Sequence, residues 1–337
     1  MRDIKVFLPR GSVLAEEDVR KWKKLVSKHS QEFIRNSEIR FDLVSSLNHV
    51  LTSLTCEEFI SNNRNYGDYV TEMWHEHILA IEDIFRADLT NLLSYDIVRY
   101  AIYLTAAGEF AKSEIPYLKQ HYDEISLMKL LREIPAYSPT IIDNVYCTSE
   151  SRVHHLTHIT YSMSVLGLDM KDLSYVIEFG GGYGGMTDLI RRFNDNTTQV
   201  VIDFPIMLLI QAIYLLNAYN PSCVNLLKNK EDKIQEGKIN LCPINLVKYL
   251  NIPNGDLFIA TWSLSEANQF TQDFILKEMK LFNSSNVIYG YRKYETVNPR
   301  QPCSKALDIF ENYSILEDKS TFWTLSGENN YLLAKIR

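Results

Sequence analysis

The sequence predicts an α/β protein in which an all-helical N-terminal region precedes a parallel sheet with helices on both faces and a final antiparallel hairpin. Three observations predict this architecture. Apolar residues recur at helical spacing through residues 1–135, and short apolar runs alternate with helical patterns after residue 145. Two strand-like runs with no helical pattern between them come last. Alternation of strands and helices is the pattern of a parallel sheet covered on both faces.

The N-terminal region contains amphipathic segments but no strand pattern. The predicted helices are Glu16–Phe33, Tyr69–Phe85 and Leu92–Ala106. Pro135 and Pro139 then interrupt the chain and predict a linker. We therefore expect a helical domain over residues 1–140 and an α/β domain over residues 145–337.

The α/β region alternates regularly. Its predicted strands are 175–179, 199–203, 238–242, 256–261 and 286–291, and its predicted helices are 184–194, 205–219, 244–251 and 265–282. The final hairpin is predicted from Tyr313–Glu317 and Tyr331–Ile336.

Composition narrows the class of protein. The 337 residues are 46% hydrophobic and 23% charged, as in ordinary globular proteins, and the net charge of −7 comes without a basic cluster. Binding to a nucleic-acid backbone is therefore not expected. Five scattered cysteines without a C-x-x-C pair, and a start lacking a signal-peptide pattern, predict a cytoplasmic protein. Residues 204–227 carry no charge, but prolines and asparagines interrupt them, so a buried helix is expected there and not a membrane span.

A glycine-rich turn follows the first predicted strand. Residues 176–186 are Val-Ile-Glu-Phe-Gly-Gly-Gly-Tyr-Gly-Gly-Met, and a helical pattern begins at their end. Glycines there let a ligand approach the backbone, and the helix start offers N–H groups. The spacing fits two cofactor classes. Gly180, Gly182 and Gly185 match the dinucleotide pattern G-x-G-x-x-G, and Gly180, Gly182 and Gly184 match the G-x-G-x-G turn of class I methyltransferases, which use S-adenosylmethionine.

Two acids bear on the choice of cofactor. Glu178 ends the strand two residues before Gly180, where a carboxylate can bind the ammonium of an amino-acid cofactor but repels a pyrophosphate. Asp203 ends the next strand and can accept both ribose hydroxyls of either cofactor; its alternative role is as the N-cap of the helix beginning at Pro205. Only Glu178 therefore discriminates, and it favours S-adenosylmethionine.

Three blocks in order resemble the bacterial sugar O-methyltransferase family. They are the glycine block at 176–186, Val-Val-Ile-Asp-Phe-Pro at 200–205, and Asp-Leu-Phe-Ile-Ala-Thr-Trp-Ser-Leu-Ser-Glu at 256–266. Phe204 stands where that family commonly has leucine. The resemblance covers residues 145–270 and is weak over the helical half. It implies a class I methyltransferase fold, S-adenosylmethionine as the methyl donor and a sugar hydroxyl as the acceptor.

Further residues are expected at the cofactor. Gly180, Gly181 and Gly182 let it lie on the backbone, and Tyr183 either shields it or packs on the turn. Phe204 is placed to face the adenine. No acid follows the third strand, so Asn245 or main-chain groups are expected to bind the adenine amino group.

The third block holds a candidate catalytic group. Glu266 follows the fourth strand, where methyltransferases place groups that face the substrate. Ser263 is expected to bind the cofactor. Ser263 and Glu266 also have the spacing of a capping box. Catalysis and capping both remain open for Glu266.

Three histidines precede the glycine strand. His154 and His158 share one helical face, but the third ligand of a zinc site is missing, so no metal is predicted. The helix leads into the glycine strand, so His155 or His158 is a candidate base for an acceptor hydroxyl. Histidines without a chemical role are the alternative.

The sequence thus predicts an S-adenosylmethionine-dependent O-methyltransferase acting on a small-molecule or glycan substrate. An NAD-dependent oxidoreductase acting on a nucleotide sugar is the alternative enzyme, and Glu178 and the final hairpin argue against it. A non-catalytic partner subunit that keeps the fold is a third interpretation. The helical domain is expected either to cover the acceptor site or to form a contact between subunits of a homo-oligomer.

Overall fold

A computed structural model describes residues 47, 50–51, 54–104, 108–292, 312–320 and 329–337. The predicted helix at 16–33 lies outside these residues, and so do residues 105–106 at the end of the predicted helix 92–106.

In the described part of the chain, the elements up to residue 131 are helices, and strands and helices alternate after residue 170. Its α-helices are α1 (Cys56–Asn62), α2 (Glu72–Ala87), α3 (Asp96–Ile102), α4 (Glu109–Leu118), α5 (Glu124–Leu131), α6 (Glu150–Leu166), α7 (Gly185–Phe193), α8 (Pro205–Leu216), α9 (Ser263–Glu266) and α10 (Gln269–Asp273). Short 3₁₀ helices occupy Gly67–Tyr69, Leu89–Ser94, Met170–Asp172, Pro221–Cys223, Ile244–Tyr249 and Lys280–Asn283, and a π-helix occupies Phe274–Glu278.

The strands form a small hairpin and one large sheet. They are β1 (Ile141–Asp143), β2 (Thr148–Ser149), β3 (Tyr175–Phe179), β4 (Thr198–Asp203), β5 (Val224–Leu226), β6 (Ile239–Pro243), β7 (Leu257–Thr261), β8 (Asn286–Arg292), β9 (Tyr313–Lys319) and β10 (Asn329–Ile336). The large sheet has the order β5-β6-β4-β3-β7-β8-β10-β9.

This sheet confirms the predicted fold class. Strands β3 to β8 pair in parallel, and β10 inserts antiparallel between β8 and β9. A parallel sheet that starts at its centre and closes with an antiparallel hairpin is the class I methyltransferase arrangement that the sequence predicts. The order reverses at β3, so the carboxyl ends of β3, β4 and β7 meet where open α/β sheets bind ligands.

Two core clusters cover the two faces of the sheet. Val176 and Ile177 are adjacent in β3 and enter different clusters, because successive strand side chains point to opposite faces. One cluster packs α8 and the N-terminal helix α2 on the sheet, and the other packs α4, α5, α6 and α7. The helical region therefore shares its apolar cores with the sheet. Even the predicted linker is buried, since Tyr137 is 3% exposed and donates a hydrogen bond to the Ile210 carbonyl at 2.7 Å.

The helix predicted over 265–282 is broken into short pieces. Asn268 accepts a hydrogen bond from the Thr271 N–H and so caps a new helix, while its Nδ2 donates to the Asp68 and Val70 carbonyls. An asparagine at a helix start is strongly favoured, and this tie to the N-terminal region overrides the continuous periodicity. The predicted helix 92–106 is likewise interrupted at Tyr95, because the Leu93 N–H donates to the Tyr137 carbonyl instead of continuing a helix.

The uncharged segment at 204–227 forms a buried helix, as predicted. Pro205 occupies the first helical position, where a missing N–H is harmless, and all 12 residues of α8 are buried. Within the described residues, no helix combines the length and the apolar character that crossing a bilayer requires. The sequence did not indicate the short edge strand β5, which is three residues long.

Candidate active site

The glycine turn between β3 and α7 depends on glycine for two separate reasons. Gly180 and Gly182 have φ values of +74° and +56°, which side-chain-bearing residues rarely adopt. A Cβ on Gly180 would lie 2.2 Å from the Ser263 Cβ, and one on Gly181 would lie 2.6 Å from the Val201 Cγ1. Beside Gly182 the nearest atom would be the Ile102 carbonyl oxygen at 3.5 Å. The turn is thus packed tightly against the sheet on one side and has more room at Gly182.

Glu178 lies beside this turn as a buried carboxylate. It is 5% exposed, and its Oε2 accepts a hydrogen bond from the Thr187 hydroxyl at 2.7 Å. Burial raises the pKa of Glu178 to about 7, against the effect of the Thr187 hydrogen bond, and the nearby Asp203 raises it further. A cationic group placed here would restore the charged form and remove the penalty of burying an acid. The buried carboxylate is therefore suited to a positively charged ligand group.

Asp203 ends β4 with hydrogen bonds to both of its carboxylate oxygens. The Phe204 N–H donates to Oδ1 and the Gln211 Nε2 donates to Oδ2, each at 2.8 Å. Burial raises the pKa of Asp203 to about 7, although these hydrogen bonds and those from the backbones of Gly181 and Gly182 lower it. The alternative role as N-cap of α8 is wrong, because Phe204 occupies that position without a side-chain capping bond.

Gln211 is a site residue that the sequence did not reveal. Its Nε2 donates to Asp203 and to the Gly182 carbonyl, the latter at 3.1 Å. It therefore holds the acid at the end of β4 against the glycine turn after β3. The uncharged, apolar helix pattern around it offered no signal of this polar role.

Both acids face a single cavity of about 460 Å³ at the carboxyl ends of β3, β4 and β7. A cavity of this size is typical for small-molecule ligands. All but one of the predicted site residues line it: Glu178, Gly180, Gly181, Gly182, Tyr183, Asp203, Phe204, Ser263, Glu266, His155 and His158.

The exception is Asn245. It belongs to the 3₁₀ helix after β6, where its neighbour Ile244 lines the cavity instead. The Asn245 Oδ1 is buried without a hydrogen-bond partner in the described part of the chain. Tyr183 does line the cavity, but it is fully buried and makes edge contacts with Tyr103 and Tyr214 at 5.3 and 5.0 Å between ring centroids. It packs beneath the turn.

The predicted capping box at Ser263 and Glu266 does not form. Trp262 is the N-cap of α9 and has no side-chain capping bond, so Ser263 is already inside the helix. The Ser263 hydroxyl instead donates to the Phe179 carbonyl, which ties the end of β7 to the end of β3. Glu266 lines the cavity from α9.

Trp262 has an unusual backbone conformation at this point. Its φ is +70°, and its N–H donates to the Gly290 carbonyl at 2.9 Å. A bulky residue with positive φ is a strained feature that clusters at functional sites. The conformation directs the chain from β7 into α9, and Trp262 lines the cavity.

The N-terminal helices supply the opposite wall. Trp74 and His77 come from α2, Arg99 and Tyr100 come from α3, and Tyr103 follows α3. The ring of His77 contacts Trp74 and Tyr100 edge to face at 5.5 and 5.7 Å. Sequence periodicity placed these residues on helices but gave no reason to bring them to the glycine turn.

The described lining of the cavity contains few positive groups. Arg99 is its only lysine or arginine, and the three acids Glu178, Asp203 and Glu266 face the same space. A pyrophosphate is poorly matched to this charge distribution. No cluster of three or more His, Cys, Asp or Glu side chains in the described ranges is arranged to hold a metal ion.

The histidines of α6 line the cavity from a buried helix. His158 is 1% exposed and His155 is partly exposed. Burial lowers the pKa of His155 to about 3 and that of His158 well below its usual value. Both are therefore neutral near pH 7. His154, whose spacing from His158 suits a pair of metal ligands, also lines the cavity.

Comparison with known proteins yields structural neighbours only. No protein-family model matches the chain, and no curated protein matches it. Among solved structures, the mitomycin 7-O-methyltransferase MmcR is 9% identical with a TM-score of 0.38, and the match covers 96% of this chain and 100% of that one. The 16S rRNA methylase ArmA is 14% identical with a TM-score of 0.33, over 68% and 98% of the two chains.

A third neighbour was solved with its cofactor. The magnesium protoporphyrin IX methyltransferase of Synechocystis PCC 6803, with bound S-adenosylmethionine, is 12% identical with a TM-score of 0.40, over 67% of this chain and 98% of that one. These three proteins methylate different kinds of acceptor according to their names. The class I fold of the present chain follows from its own strand order, with the antiparallel β10 between β8 and β9.

Proposed function

We propose that this protein is an S-adenosylmethionine-dependent O-methyltransferase that transfers a methyl group to a sugar hydroxyl. The observation that carries the proposal is the buried Glu178 carboxylate beside the glycine turn, in one cavity with Asp203. An ammonium and a ribose diol satisfy two such acids at adjacent strand ends. A dinucleotide also has a ribose diol for Asp203, but its pyrophosphate does not satisfy Glu178, so Glu178 is the acid that favours S-adenosylmethionine.

The two acids bind different parts of the cofactor. Glu178 binds the ammonium of the methionine part, directly or through water, and Asp203 accepts from the ribose hydroxyls. Gln211 and the backbone of the glycine turn already hold Asp203 in place through hydrogen bonds. Phe204, half-buried next to Tyr66 at 5.2 Å between ring centroids, supplies an apolar surface for the adenine. When bound, the cofactor supplies an electrophilic methyl group on a sulfonium.

The acceptor is favoured to be an uncharged glycan more than a nucleotide sugar. Arg99 is the one cationic side chain in the described lining, so a diphosphate has little to bind. Aromatic side chains such as Trp74, Tyr100 and Trp262 instead offer flat surfaces on which a sugar ring can pack. The resemblance of the three sequence blocks to sugar O-methyltransferases supports the same class of acceptor.

The protein must align the acceptor oxygen with the methyl carbon and remove the hydroxyl proton. The candidates for the base are Glu266 on α9 and His155 or His158 on α6, all of which line the cavity. His155 stacks on Tyr183 at 6.0 Å between ring centroids, and its Nδ1 is buried. His158 is 1% exposed and its Nδ1 is also buried. Glu266, which is partly exposed, is therefore the stronger candidate.

The helical N-terminal region acts in this proposal as the cover of the acceptor site. Helices α2 and α3 contribute cavity-lining residues opposite the sheet, and they share its apolar core. A cover of this kind excludes water from the reacting groups, which favours methyl transfer to the acceptor.

Methyl transfer to bacterial surface polysaccharide tests the proposal. The protein is incubated with S-adenosylmethionine labelled in the methyl group and with a polysaccharide extract, and the polymer is then hydrolysed in acid. We expect the label in an O-methyl sugar, because the ether survives hydrolysis. Glu178→Gln serves as the negative control, and the exposed Glu231→Gln as the matched active control.

The methyl-transfer assay, together with assays of NAD(H) turnover and cofactor binding, distinguishes the competing functions. Label in a non-sugar product would overturn the sugar acceptor while leaving methyl transfer intact. Reduction or oxidation of NAD(H) by a nucleotide sugar, with no labelled product, would identify the oxidoreductase instead. A protein that binds neither cofactor would be the non-catalytic subunit.

A further inference from the structure

A row of three rings runs along the helical wall of the cavity. Trp74 and His77 lie about one turn apart on α2, and Tyr100 lies on α3. The ring centroid of His77 is 5.5 Å from that of Trp74 and 5.7 Å from that of Tyr100, and both contacts are edge to face. All three side chains line the cavity, and we call this set the aromatic row.

The aromatic row becomes more exposed towards Tyr100. Trp74 and His77 are half-buried, whereas Tyr100 is 71% exposed. A single exposed tyrosine needs no explanation, because apolar atoms make up much of any protein surface. Tyr100 differs, since its ring continues a row whose other members are half-buried in the wall of the candidate active site. Its ring contributes little to the core and is open to a ligand that extends out of the cavity.

Contacts at the end of α3 fix the position of Tyr100 relative to the cavity. The Leu104 N–H donates to the Ser151 Oγ on α6 at 2.7 Å, and the Ser151 hydroxyl donates back to the Leu104 carbonyl at 3.2 Å. The Thr140 N–H donates to the Tyr103 hydroxyl oxygen at 3.1 Å. A tyrosine held on an anchored helix loses little conformational entropy when a ligand packs on it, because its side chain has few rotatable bonds.

The size of the cavity limits how much of the acceptor it can enclose. Its volume of about 460 Å³ lies within the range of roughly 300–1,000 Å³ that accommodates a single drug-sized ligand. The proposed cofactor has to share this space with the reacting sugar. Further sugar units of a glycan must therefore lie outside the cavity, and the aromatic row leads from the half-buried wall to the exposed Tyr100.

The chemistry of the aromatic row suits uncharged sugar rings. A tyrosine offers a large rigid apolar face and a hydroxyl that can donate to or accept from the hydroxyls of a sugar. Burial lowers the pKa of His77, which favours the neutral imidazole near pH 7. The three rings of the row therefore add no charge that would select an ionic ligand.

We propose that Tyr100 forms an outer subsite for the sugar unit next to the one that is methylated, so that the acceptor is an oligosaccharide or a polysaccharide. The inference rests on the proposed sugar O-methylation and specifies its class of substrate. A glycosyl-transfer reaction must then supply the substrate, because the linkage between the two units has to exist before the methyl group is added. A free monosaccharide enters the cavity but leaves Tyr100 uncovered.

Chain length is the variable that tests the outer subsite. The polysaccharide extract is partly hydrolysed in acid and separated by size into monosaccharides and longer fragments, and kcat/KM for transfer of the labelled methyl group is measured on each fraction. We expect a kcat/KM about tenfold higher for the longer fragments, which is the scale of covering an aromatic ring with apolar surface. Equal values for all fractions would overturn the outer subsite.

Substitution of Tyr100 should remove the dependence on chain length. In Tyr100→Ala, kcat/KM for the longer fragments should fall to about that for monosaccharides, which should itself stay within about twofold of the wild-type value. Tyr100→Trp should keep most of the advantage of the longer fragments. The matched control is Tyr249→Ala, a 55% exposed tyrosine that is not among the described residues lining the cavity. A length advantage that survives in Tyr100→Ala would contradict the proposal.

The ring signals of tyrosine give a readout that does not depend on turnover. ¹H–¹³C spectra of the full chain, labelled at tyrosine, are recorded with S-adenosylhomocysteine and each sugar fraction, and Tyr100→Phe assigns the signal. We expect the Tyr100 signal to shift with the longer fragments and not with monosaccharides; a signal that stays in place with both would refute the subsite. Absence of label from every fraction would refute the sugar acceptor and the subsite together, whereas label at equal rates in all fractions refutes the subsite alone.

Discussion

The two walls of the cavity differ in how they are built. The sheet wall consists of strand ends in fixed register, with buried acids and a glycine turn pressed against Ser263 and Val201. The helical wall consists of aromatic side chains that are partly open to solvent, and Tyr100 is 71% exposed. A rigid acidic wall suits an invariant cofactor, whereas an aromatic and more exposed wall suits an acceptor that enters and leaves. Substitutions on the two walls should therefore affect different steps.

The largest effect is expected from Glu178→Gln on the sheet wall. Removing one partner of a buried charge pair costs about 2–5 kcal/mol, so the affinity for S-adenosylhomocysteine should fall roughly 30-fold or more. Calorimetric titration measures this loss, and Glu231→Gln is the exposed control. Unchanged affinity in Glu178→Gln would show that this carboxylate is not the ammonium site.

The same substitution should stabilise the protein in the absence of ligand. The pKa of Glu178 is raised from its ordinary value near 4.5 to about 7 in the folded state. The carboxyl therefore contributes its full stabilisation below pH 4.5, and this stabilisation is lost as the pH rises through 7. A neutral glutamine avoids this loss, so the free energy of unfolding at pH 8 should rise by about 1–3 kcal/mol. Urea denaturation measures this free energy. A variant less stable than the wild type at pH 8 would contradict the view that burying the ionised Glu178 destabilises the ligand-free protein.

Two glycines of the sheet wall should respond differently to alanine. Gly180→Ala combines positive φ with a collision against Ser263 and should lower the free energy of unfolding by about 2–5 kcal/mol. Gly182→Ala has positive φ but more room, so its loss should be about 1–2 kcal/mol. Equal losses in thermal or urea unfolding would mean that the packing of the turn on Ser263 is not tight.

The affinity for S-adenosylhomocysteine should depend on pH through the sheet wall. The ammonium requires an ionised Glu178, whose pKa is raised to about 7, so a proton must be released on binding below that pH. Affinity should therefore rise about tenfold between pH 6 and pH 8. The rise should be lost in Glu178→Gln, and a pH-independent wild-type affinity would show that the acid is ionised before the ligand binds.

The smallest effect on the cofactor is expected from the helical wall. Trp74→Ala removes a half-buried aromatic surface opposite the glycine turn, so methyl transfer to polysaccharide should fall about tenfold through a higher KM. The affinity for S-adenosylhomocysteine should stay within about twofold. Leu79→Ala, an exposed position on the same helix, is the control. Loss of cofactor affinity in Trp74→Ala would contradict the assignment of the cofactor to the sheet wall and of the acceptor to the helical wall.

The two walls also differ in how far the sequence predicts them. The sheet wall follows from local patterns, because β3, the glycine turn and α7 are contiguous and Asp203 ends the next predicted strand. Parallel strands bring their carboxyl ends together, so Glu178, Asp203 and Glu266 meet in one cavity as expected. Periodicity and turn chemistry carry this information directly.

The helical wall could not be predicted in this way. Trp74 and His77 lie about 100 residues before the glycine turn, and only tertiary packing of α2 and α3 places them opposite it. The contact between Glu114 and His154 likewise depends on how α4 packs on α6. The broken helix after β7 shows the same limit, since Asn268 starts a new helix where it bonds to the distant Asp68 and Val70 carbonyls.

Direct titration of the wild-type protein with S-adenosylhomocysteine and, separately, with NADH tests the central claim most directly. We expect saturable binding of S-adenosylhomocysteine at pH 8 and no heat of binding with NADH. Binding of NADH without binding of S-adenosylhomocysteine would contradict the assignment of Glu178 as an ammonium site, and the proposed methyl transfer would fail with it.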